Sequence, residues 1–408
     1  MVVGCEKMVF EEVFPDSPFE PGRPVSPKKF KGRLRDVHKI LRVIPRTIRD
    51  GMPEHFFITG KKGMGKTSFV KFVARQAEDN FQMITVYLNN EGGTTLDELI
   101  MRLLEALFRE IYKESWGEKV IKLFVDNIKE IKLGGSGFSL KDNPKIVENI
   151  KKNFVEFMIT LCDNLKDKKG VFIVIDDING LSDNIEFTNW YKGVMETLLF
   201  HEYDVPAIFT LISYPDEFDN LVNINESFAR MFQPIEIDNL DNKDITDFFV
   251  SSFENSGITF ESNTPLNDMV YFSWGMPLIM QQIGDSVFWN AQDNFIVDED
   301  IALTSIIGAA EELGNKQIRS KLNKIRSEHY ENILLKIGDN KLMTFKKSKV
   351  KSFLSADENR VFNDFLIRMK ELGIIESIGR ENSGEYGFVN RLYFIYFMIM
   401  AIREKHQK

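Results

Sequence analysis

Residues 60–67 read Gly60-Lys61-Lys62-Gly63-Met64-Gly65-Lys66-Thr67 and are followed by Ser68. The apolar run 56–59 precedes them, and apolar residues at helical spacing follow them as far as Ala77. The pattern G-x-x-x-x-G-K-[ST] between a strand and a helix is typical of a phosphate-binding loop, whose backbone N–H groups surround a phosphate chain at a helix N-terminus. We expect Lys66 to reach the β- and γ-phosphates of a nucleotide and the Thr67 hydroxyl to ligate Mg²⁺.

A second decisive stretch is the run 171–175, which is apolar throughout and ends in Asp176 and Asp177. Apolar residues without alternation are typical of a central parallel strand that is covered on both faces. Ligands of open parallel sheets bind at the carboxyl ends of the strands. The pattern therefore predicts that Asp176 holds Mg²⁺ through the water shell of the metal and that Asp177 polarises the attacking water.

Strands and helices alternate as far as residue 238. Further strand-like runs lie at 83–88, 207–212 and 234–237, and helical patterns include 94–114 and 154–165. This alternation predicts an α/β fold with a doubly wound parallel sheet, here of the P-loop NTPase kind.

Two other segments of this region carry expectations. Ser213, at the end of the run 207–212, is either a ligand of the γ-phosphate or attacking water, or an ordinary strand-terminal serine. Residues 128–142 alternate around a glycine-rich turn and predict a hairpin.

The segments outside the sheet have their own patterns. Residues 15–30 are rich in proline and predict an extended arm, after which Leu34, Val37, Ile40, Leu41 and Ile44 predict one amphipathic helix. Beyond residue 238 helical patterns at 243–255, 265–274, 278–290 and 298–313 predict a helical subdomain. Helices at 329–337, 346–353 and 356–372, then strands at 374–378 and 386–390, predict a winged helix-turn-helix. The predicted domains are an arm (1–36), an ATPase core (37–238), a helical lid (239–315) and a winged helix (316–408).

Composition limits the class of protein and its compartment. With 43% hydrophobic residues the chain can bury sizeable cores. The N-terminus lacks a secretion signal, so we expect a cytoplasmic protein. The longest apolar run, 392–402, is too short for a bilayer, which needs about 20 residues, and predicts a buried helix with no membrane partner. Cys5 and Cys162 lie far apart, which fits a reducing compartment and excludes a cysteine zinc site.

The net charge of −9 is unevenly distributed. Residues 316–408 contain 19 Lys or Arg and 11 Asp or Glu, a balance of +8, so the remainder carries −17. The densest basic cluster contains Lys346, Lys347, Lys349 and Lys351. A basic end on an acidic body suggests a polyanion or an acidic partner.

Taken together, the residues resemble the AAA+-like ATPases of the signal-transducing STAND type, particularly the archaeal and bacterial ATPases related to archaeal origin-recognition initiators. The resemblance is carried by Ser17-Pro18-Phe19 to Pro24, Phe30-Lys31-Gly32-Arg33, the loop 60–67, the strand 171–177, Arg230 and Gly275-Met276-Pro277. It implies ATP and Mg²⁺ as cofactors, with Gly32 and Arg33 lining the adenine pocket. It also implies that Arg230 senses the γ-phosphate and that the segment ending in Pro277 replaces the sensor arginine of ordinary AAA+ lids.

The chain departs from that resemblance in one catalytic position. AAA+ enzymes usually carry glutamate after the magnesium aspartate, whereas Asp177 is one methylene shorter. Slow hydrolysis is therefore expected, and a slow nucleotide cycle suits a conformational switch that acts on a protein partner or on a second copy of the chain. GTP is disfavoured because no N/T-K-x-D motif follows the central strands.

The alternative function is that of an ATP-regulated DNA-binding protein, either a replication initiator or a regulator. The basic balance of residues 316–408 favours it. The mixed charge of the predicted recognition helix, 356–372, argues against it, because a helix that reads a groove is usually more basic on its exposed face.

Overall fold

The computed structural model describes residues 16–125, 140, 144–200, 203–325, 327–379 and 384–407. The described chain forms two compact units. The nucleotide unit, as we call it, is Pro24–Asn239. The C-terminal unit combines the described residues up to Arg23 with those from Leu240 onward. The division into four domains remains a prediction.

The nucleotide unit is built on one parallel sheet, to which the described residues contribute five strands. Its strands are β1 (Glu54–Thr59), β2 (Met83–Asn89), β3 (Gly170–Asp176), β4 (Ala207–Ile212) and β5 (Gln233–Glu236). They lie in the order β2-β3-β4-β1-β5, and every neighbouring pair is parallel. Each residue of β3 is buried, because helices cover both faces of the sheet. The predicted fold class, an α/β P-loop NTPase sheet, is confirmed.

Helices connect these strands. They are α1 (Leu34–Leu41), α2 (Ile44–Asp50), α3 (Lys66–Phe81), α4 (Leu96–Tyr112), α5 (Gly117–Val125), α6 (Pro144–Lys152), α7 (Phe154–Asp163), α8 (Ile185–Phe200), α9 (Pro215–Ile224) and α10 (Glu226–Arg230). The Thr95 side chain caps α4 by accepting a hydrogen bond from the Glu98 N–H.

The prediction of one amphipathic helix over residues 34–44 is wrong. The structure has two helices, and Leu34 is 65% exposed, although Val37 and Ile40 are buried as predicted. Pro45 occupies the first turn of α2, where its missing N–H is tolerated, but in a continuous helix it would break the ladder. The predicted hairpin at 128–142 lies outside the described residues apart from Leu140, whose N–H donates to Glu105 Oε1 at 2.7 Å.

The C-terminal unit begins with helices, as predicted. They are α11 (Asn242–Glu254), α12 (Asn263–Ser273), α13 (Pro277–Asn290) and α14 (Glu299–Leu313), with a parallel pair β6 (Thr259–Phe260) and β7 (Ile296–Val297) that was not predicted. A π-helical turn, Gly314–Ile318, then leads to α15 (Arg319–Ile325).

The last part of this unit contains helices and an antiparallel sheet. The elements are α16 (Glu328–Asp339), β8 (Thr344–Lys346), α17 (Lys347–Lys351), α18 (Ala356–Glu371), β9 (Ile375–Ser377), β10 (Glu385–Phe388) and α19 (Arg391–Gln407). In this described region the strands lie in the order β8-β10-β9. Strand β8 was not predicted, and Lys346, which was expected in a helix, pairs with Glu385 across the sheet.

The proline-rich arm is anchored to the helices of its own unit by Phe19. The ring is 3% exposed and lies among Phe248, Phe249 and Phe253, at centroid distances of 5.7, 6.4 and 5.0 Å. It also fits against Gly284, where a Cβ would come within 2.3 Å of the ring. The arm is therefore ordered by packing in this region, although proline prevents it from being helical.

The structure bears on the expectations about a membrane span and about the two cysteines. None of the helices in the described ranges combines the length and the apolar character needed to cross a bilayer, and α19 contains the run 392–402. Cys162 is a free cysteine, and burial raises the pKa of its thiol to about 12. Cys5 lies outside the described residues.

Candidate functional site

The loop 60–67 connects β1 to α3, and its glycines are required by its path. A Cβ on Gly60 would lie 2.6 Å from the carbonyl oxygen of Ile237, so only glycine fits there. Gly63 and Gly65 have φ values of +85° and +81°, a left-handed conformation that glycine adopts without steric cost. The backbone therefore curls immediately before the first turn of α3, as a phosphate-binding loop must.

Lys66 begins α3 and turns its amine back over the loop. Its Nζ donates to the carbonyl oxygens of Gly60 at 2.5 Å and Lys61 at 3.3 Å, and lies 4.5 Å from the ring centroid of Tyr214. Burial lowers the pKa of Lys66 to about 8, against the opposing effect of the carboxylates that follow β3. The side chain thus places a largely protonated amine at the phosphate loop at neutral pH. Lys61 and Lys62 are exposed, whereas Met64 is buried.

Asp176 is the acceptor on which the site converges. It ends β3, is 6% exposed, and its Oδ2 accepts hydrogen bonds from Thr67 Oγ1 and from the Tyr87 hydroxyl, each at 2.6 Å. Thr67 and Asp176 are 109 positions apart in the chain. The parallel sheet therefore brings together the hydroxyl and the carboxylate that the sequence analysis assigned to Mg²⁺.

Tyr87 is a site residue that sequence reasoning missed. It lies on β2 beside β3, and the Lys71 Nζ lies 4.7 Å from its ring centroid. Burial and the Asp176 carboxylate raise the pKa of Tyr87, so the hydroxyl stays protonated and remains a donor. Its position near the carboxyl end of a parallel strand was the available signal. The apolar character of the run 83–88 predicts a strand but gives Tyr87 no role.

These residues fit ATP and Mg²⁺. A hydroxyl and a carboxylate within 2.6 Å of each other form the oxygen-rich donor set that a hard divalent cation prefers. The glycines leave the loop backbone accessible to phosphate oxygens, and Lys66 provides a fixed cation beside them. The residues present could therefore hold the phosphates at the loop and the metal at Thr67 and Asp176.

Asp177 has an unusual backbone conformation for a non-glycine residue, with φ at +61°. Its Oδ1 accepts a hydrogen bond from the Asn179 side-chain amide, and Asn179 Oδ1 in turn accepts from the Tyr214 N–H at 3.2 Å. Burial, followed by the charges of Asp176 and Glu91, raises the pKa of Asp177. Asn179 was not anticipated, and it connects the end of β3 to the segment that follows β4.

Ser213 and Arg230, both predicted catalytic residues, also belong to the nucleotide unit. Ser213 follows β4, the strand between β1 and β3, and its Oγ donates to the carbonyl oxygen of Tyr214 at 2.9 Å. Ser213 is 2% exposed, which favours the strand-terminal alternative. Arg230 is exposed at the end of α10. Their roles at the nucleotide remain predictions.

The predicted adenine-pocket residues lie against the phosphate loop. Gly32 and Arg33 both have left-handed backbones, with φ at +75° and +58°, and Arg33 Nη2 donates to the Met64 carbonyl oxygen at 3.0 Å. Ser68 is buried and its Oγ accepts from the Val25 N–H at 3.1 Å. The start of the nucleotide unit is thereby attached to the loop and to the first turn of α3.

Pro277 belongs to the C-terminal unit, where it starts α13. The preceding Gly275 has φ at +69°, and a Cβ there would lie 2.2 Å from the Leu240 carbonyl oxygen. This close approach requires glycine at position 275, independently of any contact with a nucleotide. Nucleotide binding by Pro277 remains a prediction.

Comparison with known proteins agrees with this architecture. Residues 51–222 match the family model described as an AAA domain. The ORC1-type DNA replication protein 1 of Archaeoglobus fulgidus is 32% identical over 182 residues, which are 43% of this chain and 43% of that protein. Residues 51–222 are thus similar to AAA domains, and the match to the ORC1-type protein spans less than half of that relative.

Solved structures are similar over nearly the whole chain. A Walker-type ATPase of Pyrococcus abyssi has a TM-score of 0.54 at 14% identity and covers 92% of this chain and 98% of its own. The ORC2 protein of Aeropyrum pernix, solved as ADPNP–ADP complexes, has a TM-score of 0.55 at 10% identity, with coverage of 93% and 96%. At these identities the likeness establishes the fold alone.

Proposed function

We propose that this chain is a Mg²⁺-dependent ATPase of the STAND type that hydrolyses ATP slowly and acts as a nucleotide-dependent conformational switch. One observation carries the proposal: directly after Lys66, the Thr67 hydroxyl meets the Asp176 carboxylate at 2.6 Å. A hydroxyl and a carboxylate meeting beside a lysine in a glycine-rich loop are the parts that P-loop NTPases use to bind a nucleotide with its metal.

Each residue has a defined task in this proposal. Lys66 neutralises the β- and γ-phosphates, and Thr67 and Asp176 hold Mg²⁺, which supplies further positive charge at the phosphates when bound. Asp177 accepts a proton from the attacking water, and its raised pKa makes it a better base than an ordinary aspartate. Asn179 keeps that carboxylate in place by donating to Oδ1.

The same geometry explains why turnover should be slow. Asp177 reaches one methylene less far than the glutamate usual at this position, and its carboxylate is already bonded to Asn179. A long-lived ATP state lets a protein partner or another copy of the chain detect the conformation before hydrolysis ends it.

The C-terminal unit offers a route by which a change at the segment 275–277 would reach the end of the chain. Arg391, which begins α19, lies 3.6 Å from the Tyr271 ring centroid and 5.4 Å from that of Trp274. Its Nη1 also donates to the Tyr271 carbonyl oxygen. Because Trp274 directly precedes Gly275, a movement of this segment would change the contact between Trp274 and Arg391 and so shift α19. We further propose that α16 to α18 with the sheet β8-β10-β9 form a winged helix.

The test compares three variants by calorimetry and by single-turnover hydrolysis. Lys66→Ala should lose ATP binding with the fold intact, because the fixed cation at the phosphates is gone. Asp176→Asn should weaken Mg²⁺-dependent binding, whereas Asp177→Asn should bind Mg·ATP normally and lose turnover, because an amide cannot accept a proton. Unchanged ATP affinity in Lys66→Ala would refute the nucleotide site, and identical behaviour of the two aspartate variants would refute their division of tasks.

A second candidate function is ATP-regulated DNA binding, as in a replication initiator. It is favoured by the relative in Archaeoglobus, which is a DNA replication protein, and by the basic balance of residues 316–408. Many of these cations are already paired, however: Lys336 with Glu358, Arg360 with Asp357 and Arg368 with Glu371. Replacing Lys346, Lys347, Lys349 and Lys351 with alanine tests it, since DNA contacts there would reduce the log–log salt slope of binding by up to about 0.9 per lysine.

A further inference from the structure

A strongly basic stretch lies at the start of the nucleotide unit. Residues 28–49 contain nine Lys or Arg and one acidic residue, Asp36, in a chain whose net charge is −9. The stretch runs from within the turn Pro27–Lys29 through α1 and most of α2. Its charge is opposite in sign to that of the protein as a whole, so this stretch attracts anions that the rest of the surface repels.

Four polar side chains of α1 and its C-cap share one face, which we call the basic face of α1: Arg35, His38, Lys39 and Arg42. These four side chains line an open surface pocket of about 510 Å³. At about 100° per residue they point away from Val37 and Ile40, which are 3% and 0% exposed. The apolar side anchors the helix, and the basic face is presented to solvent.

Most of the basic face has no acidic partner. Among the described residues, the side chains of Arg35, His38 and Arg42 make no hydrogen bond or ion pair, and the Lys39 side chain bonds only to Asp36, at 2.8 Å. Like charges three or four positions apart destabilise a helix by about 0.2–0.5 kcal/mol per pair. The arrangement therefore does not stabilise α1. In α2, by contrast, Arg46 pairs with Glu54 and Arg49 with Asp50.

We propose that the basic face of α1 binds the phosphate backbone of a duplex nucleic acid without reading its sequence. Arg35 and Arg42 are seven residues apart, or about 10 Å along the helix axis. Each strand of a duplex presents a phosphate about every 3.4 Å, so the face spans about three phosphates. Arginine suits such a ligand because its planar guanidinium matches phosphate oxygens in pairs.

An anionic membrane is the less suitable partner for this face. Helices that bind in a bilayer interface insert an apolar side between the lipids. The apolar side of α1 is occupied, since Val37 and Ile40 are buried within the nucleotide unit. The proposed contact is electrostatic alone, and it is independent of the nucleotide site, so either proposal can fail without the other.

The experiment measures binding of the full chain to a fluorescent mixed-sequence duplex by anisotropy, over about 50 to 200 mM salt. The test variant combines Arg35→Ala, Lys39→Ala and Arg42→Ala. The matched control, which also removes three positive charges from exposed side chains of the nucleotide unit, combines Lys119→Ala, Lys145→Ala and Lys169→Ala. A third protein, with Arg35→Lys and Arg42→Lys, retains the charge. Unchanged melting temperature and Mg·ATP affinity verify the fold of each variant.

We expect the test variant to bind at least about tenfold more weakly and to flatten the log–log salt slope by about 2.7, the value for three lost contacts. The charge-retaining variant should keep most of the slope, and the control should match the wild type. Absence of duplex binding by the wild type, or an unchanged slope in the test variant, overturns the proposal. A second result would also overturn it: the wild type floats with phosphatidylserine vesicles, the test variant does not, and neither binds the duplex.

Discussion

At the residue scale, the site depends on one buried carboxylate, which accepts hydrogen bonds from two side-chain hydroxyls. Asp176 receives Thr67 from α3 and Tyr87 from β2, so three elements meet at a single oxygen. A metal ligand held in this way is oriented before the metal binds, and outer-shell partners of this kind are typically worth 10- to 100-fold in metal affinity. Tyr87 is therefore assigned a positioning task, because it acts through Asp176.

Tyr87→Phe tests that assignment. The variant keeps the ring over which Lys71 lies and removes only the hydroxyl, so we expect Mg²⁺-dependent ATP affinity to fall by about tenfold. Binding of ATP without the metal should change little, since Tyr87 does not belong to the phosphate loop. Calorimetric titrations with and without Mg²⁺ measure both quantities, and equal losses in the two would indicate a purely structural tyrosine.

His55 predicts how stability depends on pH. It lies in β1, 3% exposed, stacked on Phe209 with a 5.3 Å centroid distance, and burial lowers its pKa from 6.5 to about 4. The unfolded chain therefore binds the proton more tightly than the folded chain. The resulting stability is present above about pH 6.5 and is lost progressively as the pH falls towards 4, by about 3 kcal/mol in total.

The variant His55→Phe isolates this contribution. A phenylalanine keeps an aromatic ring among Phe209, Tyr191 and Phe232, which the His55 ring contacts, and cannot take up a proton. Urea unfolding should show a wild-type stability loss between neutral pH and about pH 4 that exceeds the loss in His55→Phe by about 2–3 kcal/mol. Parallel curves for the two proteins would mean that His55 does not titrate on unfolding.

At the scale of elements, the arm is ordered because one aromatic side chain fits a site made for it. Phe19 occupies space that a Cβ at Gly284 would take, and the arm is also bonded by Ser17 Oγ to Asp285 Oδ1 at 2.6 Å. The Glu20 N–H donates to Gln281 Oε1 at 2.7 Å. All three contacts are made to successive turns of α13. The helix is thus the support on which an otherwise irregular, proline-rich segment becomes fixed.

Gly284→Ala should release the arm. The added methyl would lie 2.3 Å from the Phe19 ring, so the ring must leave, and the Glu20 amide should lose protection in hydrogen exchange. Gly308→Ala in α14 is the matched control, because its Cβ meets only Ser286 Oγ at 3.6 Å. That control should stabilise the protein by up to about 1 kcal/mol through helix propensity. Retained Glu20 protection in Gly284→Ala would contradict the packing described.

At the scale of the whole molecule, the two units give the proposed switch a thermodynamic test. Saturating Mg·ATP at about 100 times its dissociation constant stabilises the unit that binds it by about 2.7 kcal/mol. If Pro277 contacts the nucleotide, as the resemblance implies, scanning calorimetry should show that Mg·ATP raises the transitions of both units. Lys66→Ala should abolish both shifts. A shift confined to the unit Pro24–Asn239 would place Pro277 away from the nucleotide.

Much of the nucleotide unit was predictable because its signals are local. A glycine-rich turn between a strand and a helix, and an unbroken apolar run ending in Asp176 and Asp177, each lie within about ten residues. Local patterns also located α11 to α14 correctly. Apolar spacing failed at residues 34–44, where it predicted one helix. Pro45 cannot continue a helix, and the chain forms two helices there.

The sequence by itself determined the phosphate loop, the central strand and the parallel sheet, because backbone geometry and hydrophobic periodicity operate over neighbouring residues. Only the tertiary structure decided which side chains meet. Tyr87 and Asn179 joined the site, and Ser213 bonded to a backbone carbonyl, through strand order and side-chain direction, which no local pattern encodes. The tertiary structure likewise decided the basic face of α1, because the fold determines which of its charged side chains have no acidic partner.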